Sequence, residues 1–369
     1  MKDNMKNNLK IGTFLQSISR SALALTCSLV LAGIIIKLCG FSPTLIYLAV
    51  FRDSFSSLAN IALCISQATP LIFTGLAFTM GLKVGLINTG GEGQLIAGAM
   101  CGALAGAYIT FLPGTLHLGT CILIGAVAGG LVALLTTYLK VKFNSSEIII
   151  GIMLNNIIIL VTSYLATGPL KPKGTSIAQT KEVLSSAKLP RLIPRTQTTS
   201  AIIIAVLAAV GFYIILSKTV LGYKIRVVGT NRLAGTVAGI NSSKVYYLSS
   251  FMFGSINGIA GACIALGIFY RFVDGISVGY GFEGIPVAAL AGYNPLGVLF
   301  SGFLFGILRA GTMTLSRTSS VPLEIVSVIQ ALVVVFVSAP TIITSIKDLK
   351  IFRRFHKKSQ NSNIPVKGA

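Results

Sequence analysis

The stretch GLINTGGEGQ, residues 85–94, breaks an apolar run with glycines, amides and one acid. A second break, GYGFEGIPVAALAGYNP at 279–295, shares with it the pattern Glu-Gly-x-x-(Ile/Val)-Ala, at 92–97 and again at 283–288. Glycine there frees backbone N–H and C=O groups that lipid cannot satisfy, so such a stretch must line a cavity or be packed within protein. The two stretches therefore predict helices that are broken at membrane depth.

Outside these breaks the chain has the composition of a membrane protein. Of its 369 residues, 53% are apolar and only 11% are charged, and the mean hydropathy is +0.84. A soluble globule places about a quarter of its residues in charged types. The composition excludes a soluble globular protein, a disordered chain, a coiled coil and a secreted disulfide scaffold, and it makes membrane lipid the expected surroundings.

The apolar runs can be counted as spans, because a helix needs about 20 apolar residues to cross the bilayer core. A short apolar piece at 284–292 adds to nine longer runs. The nine runs are 21–39, 57–82, 93–112, 118–138, 147–167, 200–217, 245–268, 296–312 and 321–338. They predict an all-α fold, a polytopic membrane helical bundle of about ten transmembrane spans whose eighth is short or broken.

Basic residues set the expected orientation. Four Lys and Arg precede the first run and seven lie from Lys347 onward, so the positive-inside rule places both ends in the cytoplasm. We expect a cytoplasmic N-terminal tail (1–20), a transmembrane domain (21–340) and a basic cytoplasmic C-terminal tail (341–369). Under this topology the predicted inner segments, tails included, hold 19 of the 30 Lys and Arg. The net charge of +21, which would indicate nucleic acid in a soluble protein, is therefore mostly explained, and no nucleic-acid partner is expected.

One segment disagrees with this bias. The predicted outer loop, 168–199, carries six basic residues, which are Lys171, Lys173, Lys181, Lys188, Arg191 and Arg195. Two interpretations stay open, a solvated loop in a lysine-rich chain and a docking surface for an acidic partner.

The two breaks also suggest internal symmetry. The first follows span two and the second follows span seven, so the units that contain them would be oppositely oriented. Inverted repeats with broken helices are a recurrent transporter architecture. We therefore hypothesise that spans two to five and seven to ten are inverted pseudo-repeats.

Several kinds of chemistry are missing from the sequence. It has no G-x-x-x-x-G-K-[ST] phosphate loop and no H-E-x-x-H motif, and its histidines are His117 and His356. Its six cysteines form no C-x-x-C pair. We expect no catalytic residue, no metal site and no cofactor, hence not an enzyme. If transport is driven by ATP, the ATPase must be another chain.

The predicted inner loop, about 218–244, is the best candidate for contacting such a chain. Its stretch 231–240 is amphipathic and rich in small residues. This favours a surface that a partner covers rather than an ordinary basic loop. The candidate contacts are Arg226, Gly229, Asn231, Ala234, Ala238 and Gly239.

Four blocks together resemble a known family. They are GLINTGGEGQ (85–94), EIIIGIMLNN (147–156), GYKIRVVGTNRLAGTVAGI (222–240) and GYGFEGIPVAALAGYNPLGVLFSGFLFGILRAG (279–311). The chain resembles the permease subunits of bacterial ABC importers in the branched-chain amino acid and simple-sugar group. Within that group Asn88 followed by Glu92-Gly93-Gln94 looks like the nucleoside, or purine-type, branch.

The resemblance implies partners and a location. They are a second permease chain, identical or different, ABC ATPase subunits inside and an extracytoplasmic substrate-binding lipoprotein. It also implies that 222–240 contains the coupling helix seated on the ATPase, and that the chain lies in the cytoplasmic membrane of a bacterium. Alternatives are a sugar or branched-chain amino acid permease of the same family, an ion-coupled secondary transporter, and a membrane scaffold.

Polar side chains at membrane depth supply the candidates for the substrate pathway. Amides both donate and accept hydrogen bonds, which suits uncharged nucleosides, and an aromatic ring can stack on a base. The candidates are Asn88, Glu92, Gln94, Asn155, Asn156, Phe282 and Glu283. Each has a structural alternative: an interhelical hydrogen bond for the paired amides, helix capping for the two acids and core packing for Phe282.

Overall fold

The computed structural model describes residues 42–318, together with positions 30, 33, 34, 37 and 38. Within residues 42–318 the chain is helical and has no strand, only two isolated antiparallel bridges, Gln179 with Val273 and Arg191 with Thr199. The helices of this part are α1 (Pro43–Phe55), α2 (Leu58–Val84), α3 (Gly91–Tyr108), α4 (Gly114–Phe143), α5 (Glu147–Thr167), α6 (Ala201–Lys218), α7 (Val220–Thr230), α8 (Arg232–Val237), α9 (Ser242–Ile264), α10 (Tyr280–Leu290) and α11 (Pro295–Thr318). A π-helical turn, Ala265–Phe269, extends α9.

Five of these helices are long and apolar enough to cross a membrane: α2, α4, α5, α6 and α9 with its π turn. The pair α10 and α11, bent by 120° at a short break, makes a sixth if it is counted as one broken span. The prediction of a multi-pass all-α fold is thus confirmed for the described part, while the count of about ten spans stays a prediction. The runs 21–39 and 321–338 lie outside the described residues, as do the tails 1–20 and 341–369.

The predicted boundaries agree closely with the helices. The run 147–167 is α5 itself, and the short piece 284–292 overlaps α10. The run 93–112 corresponds to α3, which begins earlier and is not among the helices apolar enough to span by themselves. The reason is its first turn, which contains Glu92 and Gln94.

Local chemistry explains where the helices start and stop. The Ser57 side chain accepts a hydrogen bond from the Asn60 N–H and starts α2, which ends at Gly85 in the left-handed region, with φ of 84°. Asn231 caps α8 by accepting from Ala234 N–H, and Asn241 caps α9 by accepting from Lys244 N–H. The α2 break is therefore encoded by a glycine that ends the helix.

The helices form an inner and an outer group. In the most apolar stretches of α2 and α9, 83% and 72% of the residues are buried, against 17% in α5 and 28% in α6. Most of α3 is also buried. Glycine allows the inner backbones to approach closely: a Cβ on Gly125 would lie 2.7 Å from the Ala262 Cβ and 2.9 Å from the Gly98 carbonyl oxygen. The small residues at 98–107 and 125–130 thus lie where transmembrane backbones approach closely.

The segment 168–199 is folded against the helix ends. Thr180 N–H donates to the Phe272 carbonyl at 2.9 Å, and Leu189 N–H donates to the Leu266 carbonyl at 3.0 Å. Buried His117 holds the segment from the other side, with Nδ1 2.8 Å from Ser186 Oγ. The backbone of this segment is therefore anchored, while its basic side chains are exposed or half-buried.

Candidate functional site

The two glycine-rich breaks meet in the structure. The Glu92 carboxylate accepts hydrogen bonds from the backbone N–H groups of Gly279, at 3.3 Å, and Gly281, at 2.7 Å. These N–H groups lie at the start of α10 and have no partner within their own helix. A negative charge at a helix N-terminus is favourable because it faces the positive end of the helix dipole. Glu92, 5% exposed, therefore caps α10 from α3.

The backbones also touch at this place, which we call the junction: the starts of α3 and α10 around Glu92 and Gly281. A Cβ added to Gly281 would lie 2.5 Å from the Glu92 Cα, and one added to Gly91 would lie 3.2 Å from the Gly281 carbonyl oxygen. No side chain larger than hydrogen fits between the two helix starts without a shift. The glycines of the breaks are thus explained by close approach.

Buried amides hold the α3 side of the junction. Asn88 and Gln94 exchange two hydrogen bonds, at 3.0 and 2.8 Å, and Asn257 donates to the Gln94 carbonyl oxygen at 2.8 Å. Gln94 is fully buried and Asn88 is nearly so. Asn257 was not predicted from the sequence. A signal existed, since it is an amide within the apolar run of α9.

Asn155 fastens α5 to the same break. Its side-chain oxygen accepts from Gly93 N–H at 2.7 Å, and its side-chain nitrogen donates to the Thr89 carbonyl at 2.9 Å. The side chain is buried. Asn155 therefore makes a hydrogen bond between helices, which is the structural alternative stated above for this residue.

Two candidates differ from the rest because they are exposed. Asn156 lies near the middle of α5 and faces outward, and its side-chain nitrogen donates to the Ile152 carbonyl of its own helix at 3.1 Å. Phe282 is 44% exposed. Each is the sequence neighbour of a residue that contacts Glu92-Gly93: Asn156 follows Asn155, and Phe282 follows Gly281. The two exposed side chains therefore belong to the outer surface beside the junction.

Glu283 belongs to a separate, partly buried network. Arg309 of α11 donates to the Glu283 carboxylate at 2.5 Å, and its guanidinium lies 4.1 Å from the centre of the Tyr280 ring. The Tyr280 hydroxyl donates to Gln67 of α2 at 2.7 Å. This network fixes α10 between α2 and α11. Arg309 thus has an internal anionic partner, and Gln67 joins the set of residues that the sequence did not single out.

A second candidate region lies at α7 and α8. A Cβ added to Gly229 would lie 3.0 Å from the Lys83 carbonyl carbon and 3.1 Å from that of Val84, and one added to Gly85 would lie 3.4 Å from the Gly229 Cα. The end of α7 is therefore pressed against the end of α2, where the first break begins. This contact, at Gly85, and the junction, at Gly91, are only six residues apart along the first break.

The surface of α8 is open. Of the predicted coupling residues, Arg226, Asn231, Ala234, Ala238 and Gly239 are exposed, while Gly229 is packed as described. Leu233 is 78% exposed and Val237 is 91% exposed, one helical turn apart. Neither was predicted, although their spacing in the amphipathic stretch was a usable signal. Two large apolar side chains exposed side by side on a short amphipathic helix are typical of a surface that a partner covers.

Among the side chains that the structure describes, no cluster of three or more His, Cys, Asp and Glu lies where it could hold a metal ion. The buried polar groups bond to one another and to helix ends, as devices that position helices do. Fold and site together define a multi-pass membrane protein built from broken helices, of the kind that moves solutes.

Comparison with known proteins identifies the family. Residues 60–338 match the family described as "Branched-chain amino acid transport system / permease component", and the chain belongs to it. It is 32% identical to the guanosine ABC transporter permease protein NupP of Bacillus subtilis, over 86% of this chain and 92% of that protein. It is 30% identical to the nucleoside ABC transporter permease protein NupB of Lactococcus lactis subsp. cremoris, over 87% and 90%.

A third relative is named for another substrate. The glucose ABC transporter permease protein TsgB13 of Haloferax volcanii is 30% identical over 85% of each chain. No solved structure matches.

The family match and the relatives show that the chain is a membrane permease component of an ABC importer, a transport subunit rather than an enzyme. Family membership implies partner subunits that hydrolyse ATP and bind the substrate.

Proposed function

We propose that this permease carries nucleosides inward across the cytoplasmic membrane, with energy from a separate ATPase subunit. The relatives named for guanosine and for nucleosides support this substrate, since each is similar over most of both chains. The chain itself holds no cofactor in this proposal, because ATP is hydrolysed by its partner. Glucose is the second candidate, supported by the Haloferax volcanii relative.

The pathway runs along the outer surface of α5 beside the junction. The observation that carries this step is Asn156, an amide exposed near the middle of a 21-residue apolar helix. Its one hydrogen bond in the described part of the chain is to its own helix. If the Asn156 side chain faced lipid, its carbonyl oxygen would have no donor, at a cost of about 2–7 kcal/mol. This face is therefore covered by water and substrate, opposite a second permease chain.

Within this proposal the candidate residues have two roles. Asn156 and Phe282 contact the passing solute, the amide by hydrogen bonding and the ring by stacking on the base. Asn88, Glu92, Gln94, Asn155 and Glu283 shape the pathway from behind by holding α3, α5 and α10. Movement of these helices, without covalent chemistry, opens and closes the route.

The surface of α8 with the end of α7 docks on the ATPase. Exposed Leu233 and Val237 enter the ATPase surface, with Arg226 and Asn231 at their sides. About ten spans, counting the runs 21–39 and 321–338, place both termini and this loop in the cytoplasm and segment 168–199 outside, facing the substrate-binding lipoprotein.

Reconstitution of the complete complex tests the proposal. The permease, its ATPase, its second permease and its binding lipoprotein are placed in liposomes, and uptake of labelled guanosine and glucose is measured with and without ATP. We expect ATP-dependent guanosine uptake. Uptake of glucose alone would overturn the substrate, and uptake that persists without ATP and stops with an ionophore would show an ion-coupled transporter.

A further inference from the structure

Most of the acidic side chains that the structure describes have a partner within the chain. The sequence has 30 Lys and Arg against 9 Asp and Glu. Among the described side chains, Glu147 pairs with Lys140, Glu182 with Lys188 and Arg271, and Glu283 with Arg309, while Glu92 caps α10. Among these described side chains Asp274 is the exception, since its carboxylate has no basic partner among them.

The Asp274 carboxylate is nonetheless fixed in place. Its backbone N–H donates to the Ala178 carbonyl at 2.9 Å, and its Oδ2 accepts a hydrogen bond from Ser163 Oγ at 2.9 Å. Within the described part of the chain, Oδ1 has no hydrogen-bond partner, and the residue is exposed. Asp274 is thus an ordered acceptor that points to the surface with half of its capacity unused.

Its position relates it to the proposed pathway. Ser163 lies seven residues after Asn156 on α5, which is about two turns and roughly 10 Å along the same helix face. Between them Leu160 is 69% exposed, so this face is not covered by the rest of the chain. Asp274 joins the face at its Ser163 end, beside segment 168–199, the predicted outer segment.

We propose that Asp274, held by Ser163, binds hydroxyl groups of the substrate's sugar at the outer mouth of the pathway. The inference rests on the proposed function. An ionised carboxylate is purely an acceptor, and vicinal hydroxyls supply two O–H donors to it. Ribonucleosides such as guanosine and the alternative substrate, glucose, both carry such hydroxyls. A basic neighbour would occupy the oxygen that the sugar needs, and Asp274 has no such neighbour among the described side chains.

The test measures discrimination between sugars in the complete reconstituted importer. The binding lipoprotein is supplied in saturating amount and fully loaded, so that its own affinity does not enter, and initial uptake of guanosine is divided by that of 2′,3′-dideoxyguanosine. A hydrogen bond to a charged group contributes enough that Asp274→Ala should lower this ratio by roughly ten-fold, by slowing guanosine uptake with dideoxyguanosine uptake unchanged. Asp274→Asn, which keeps one acceptor, should give an intermediate ratio.

Glu182→Gln is the matched control. Glu182 lies in the same outer region, but its carboxylate is occupied by Lys188 at 2.7 Å and Arg271 at 3.1 Å. Glu182→Gln removes one negative charge, as Asp274→Ala does, and should leave the ratio of guanosine to dideoxyguanosine uptake at the wild-type value. The unchanged dideoxyguanosine rate of Asp274→Ala shows at the same time that the variant is folded.

The other outcomes separate this inference from the proposed function. Equal slowing of both nucleosides by Asp274→Ala would overturn the hydroxyl site and leave a structural role. A higher concentration of binding lipoprotein needed for half-maximal uptake, equal for both substrates, would also overturn it, and would assign Asp274 to that protein. If the wild type imports glucose but no nucleoside, the proposed substrate fails, and the ratio of glucose to 2-deoxyglucose uptake tests the site instead.

Discussion

The carboxylate of Glu92, in the first turn of α3, accepts a hydrogen bond of 2.7 Å from the backbone N–H of Gly281, in the first turn of α10. The residues are 189 positions apart. The starts of α3 and α10 therefore share one buried negative charge. The Glu92 carboxylate faces the positive N-terminal end of α10, and it also lies near the positive N-terminal end of α3, its own helix. Displacing either helix start along its axis breaks this contact.

Replacement of Glu92 should weaken both transport and stability. Hydrogen bonds to a charged group contribute about 1.5–3 kcal/mol each, and Glu92→Ala leaves the N–H groups of buried Gly281 and half-buried Gly279 without their acceptor. Glu92→Gln keeps one acceptor and should lose less. Thermal unfolding in detergent and ATP-driven uptake measure the two effects, and an alanine variant as stable and active as the wild type would contradict the capping role.

The contact of the helix starts predicts a strong steric effect at Gly281. Gly281→Ala places a methyl group 2.5 Å from the Glu92 Cα, and overpacking of this kind costs about 1–3 kcal/mol. Uptake should fall because the junction is forced apart. Gly119→Ala is the control, because a Cβ there meets nothing within 4 Å and alanine favours a helix; it should be neutral or slightly stabilising by thermal unfolding.

Replacement of the adjacent asparagines of α5 should affect different properties, stability for Asn155 and uptake for Asn156. Asn155→Leu leaves the Gly93 N–H and the Thr89 carbonyl unsatisfied, with a loss of about 1–3 kcal/mol of stability. Asn156→Leu removes no bond between helices, so the variant should unfold at the wild-type temperature yet take up nucleosides more slowly. Loss of stability in Asn156→Leu, or full uptake by it, would argue against its place in the pathway.

The sequence predicted the pieces of the junction but not how they join. The glycine-acid breaks, their two acids and the paired asparagines were all found, because polar groups in an apolar run are conspicuous. That Glu92 caps α10 while Glu283 pairs with Arg309 depends on contacts distant along the chain, which a local pattern does not contain. Asn257 and Gln67 were missed because each is a single amide without a neighbouring break. The hypothesis of inverted repeats stays a prediction.

The exposed apolar pair on α8 makes the ATPase contact testable. Val237 is 91% exposed, so a substitution there does not disturb the permease itself. Val237→Asp would bury a charge in the ATPase contact and should abolish co-purification of the ATPase, while Val237→Ala should weaken it only partly. Both variants should unfold at the wild-type temperature, and undiminished ATPase binding by Val237→Asp would place the docking surface elsewhere.

Gly229 should be the position where docking and transport separate. It lies outside the exposed α8 pair, yet a Cβ on it would meet the Lys83 carbonyl carbon at 3.0 Å, at the end of α2 just before the first break. Gly229→Ala should therefore leave the ATPase bound but push α7 away from Gly85, and so change the ATP hydrolysed per nucleoside imported. The measurement is that ratio in liposomes. If Gly229→Ala lowers ATPase binding but leaves the ATP hydrolysed per nucleoside unchanged in the complexes that remain, the contact of Gly229 with the end of α2 serves assembly. It would then not transmit movement from the ATPase to the break that contains Glu92.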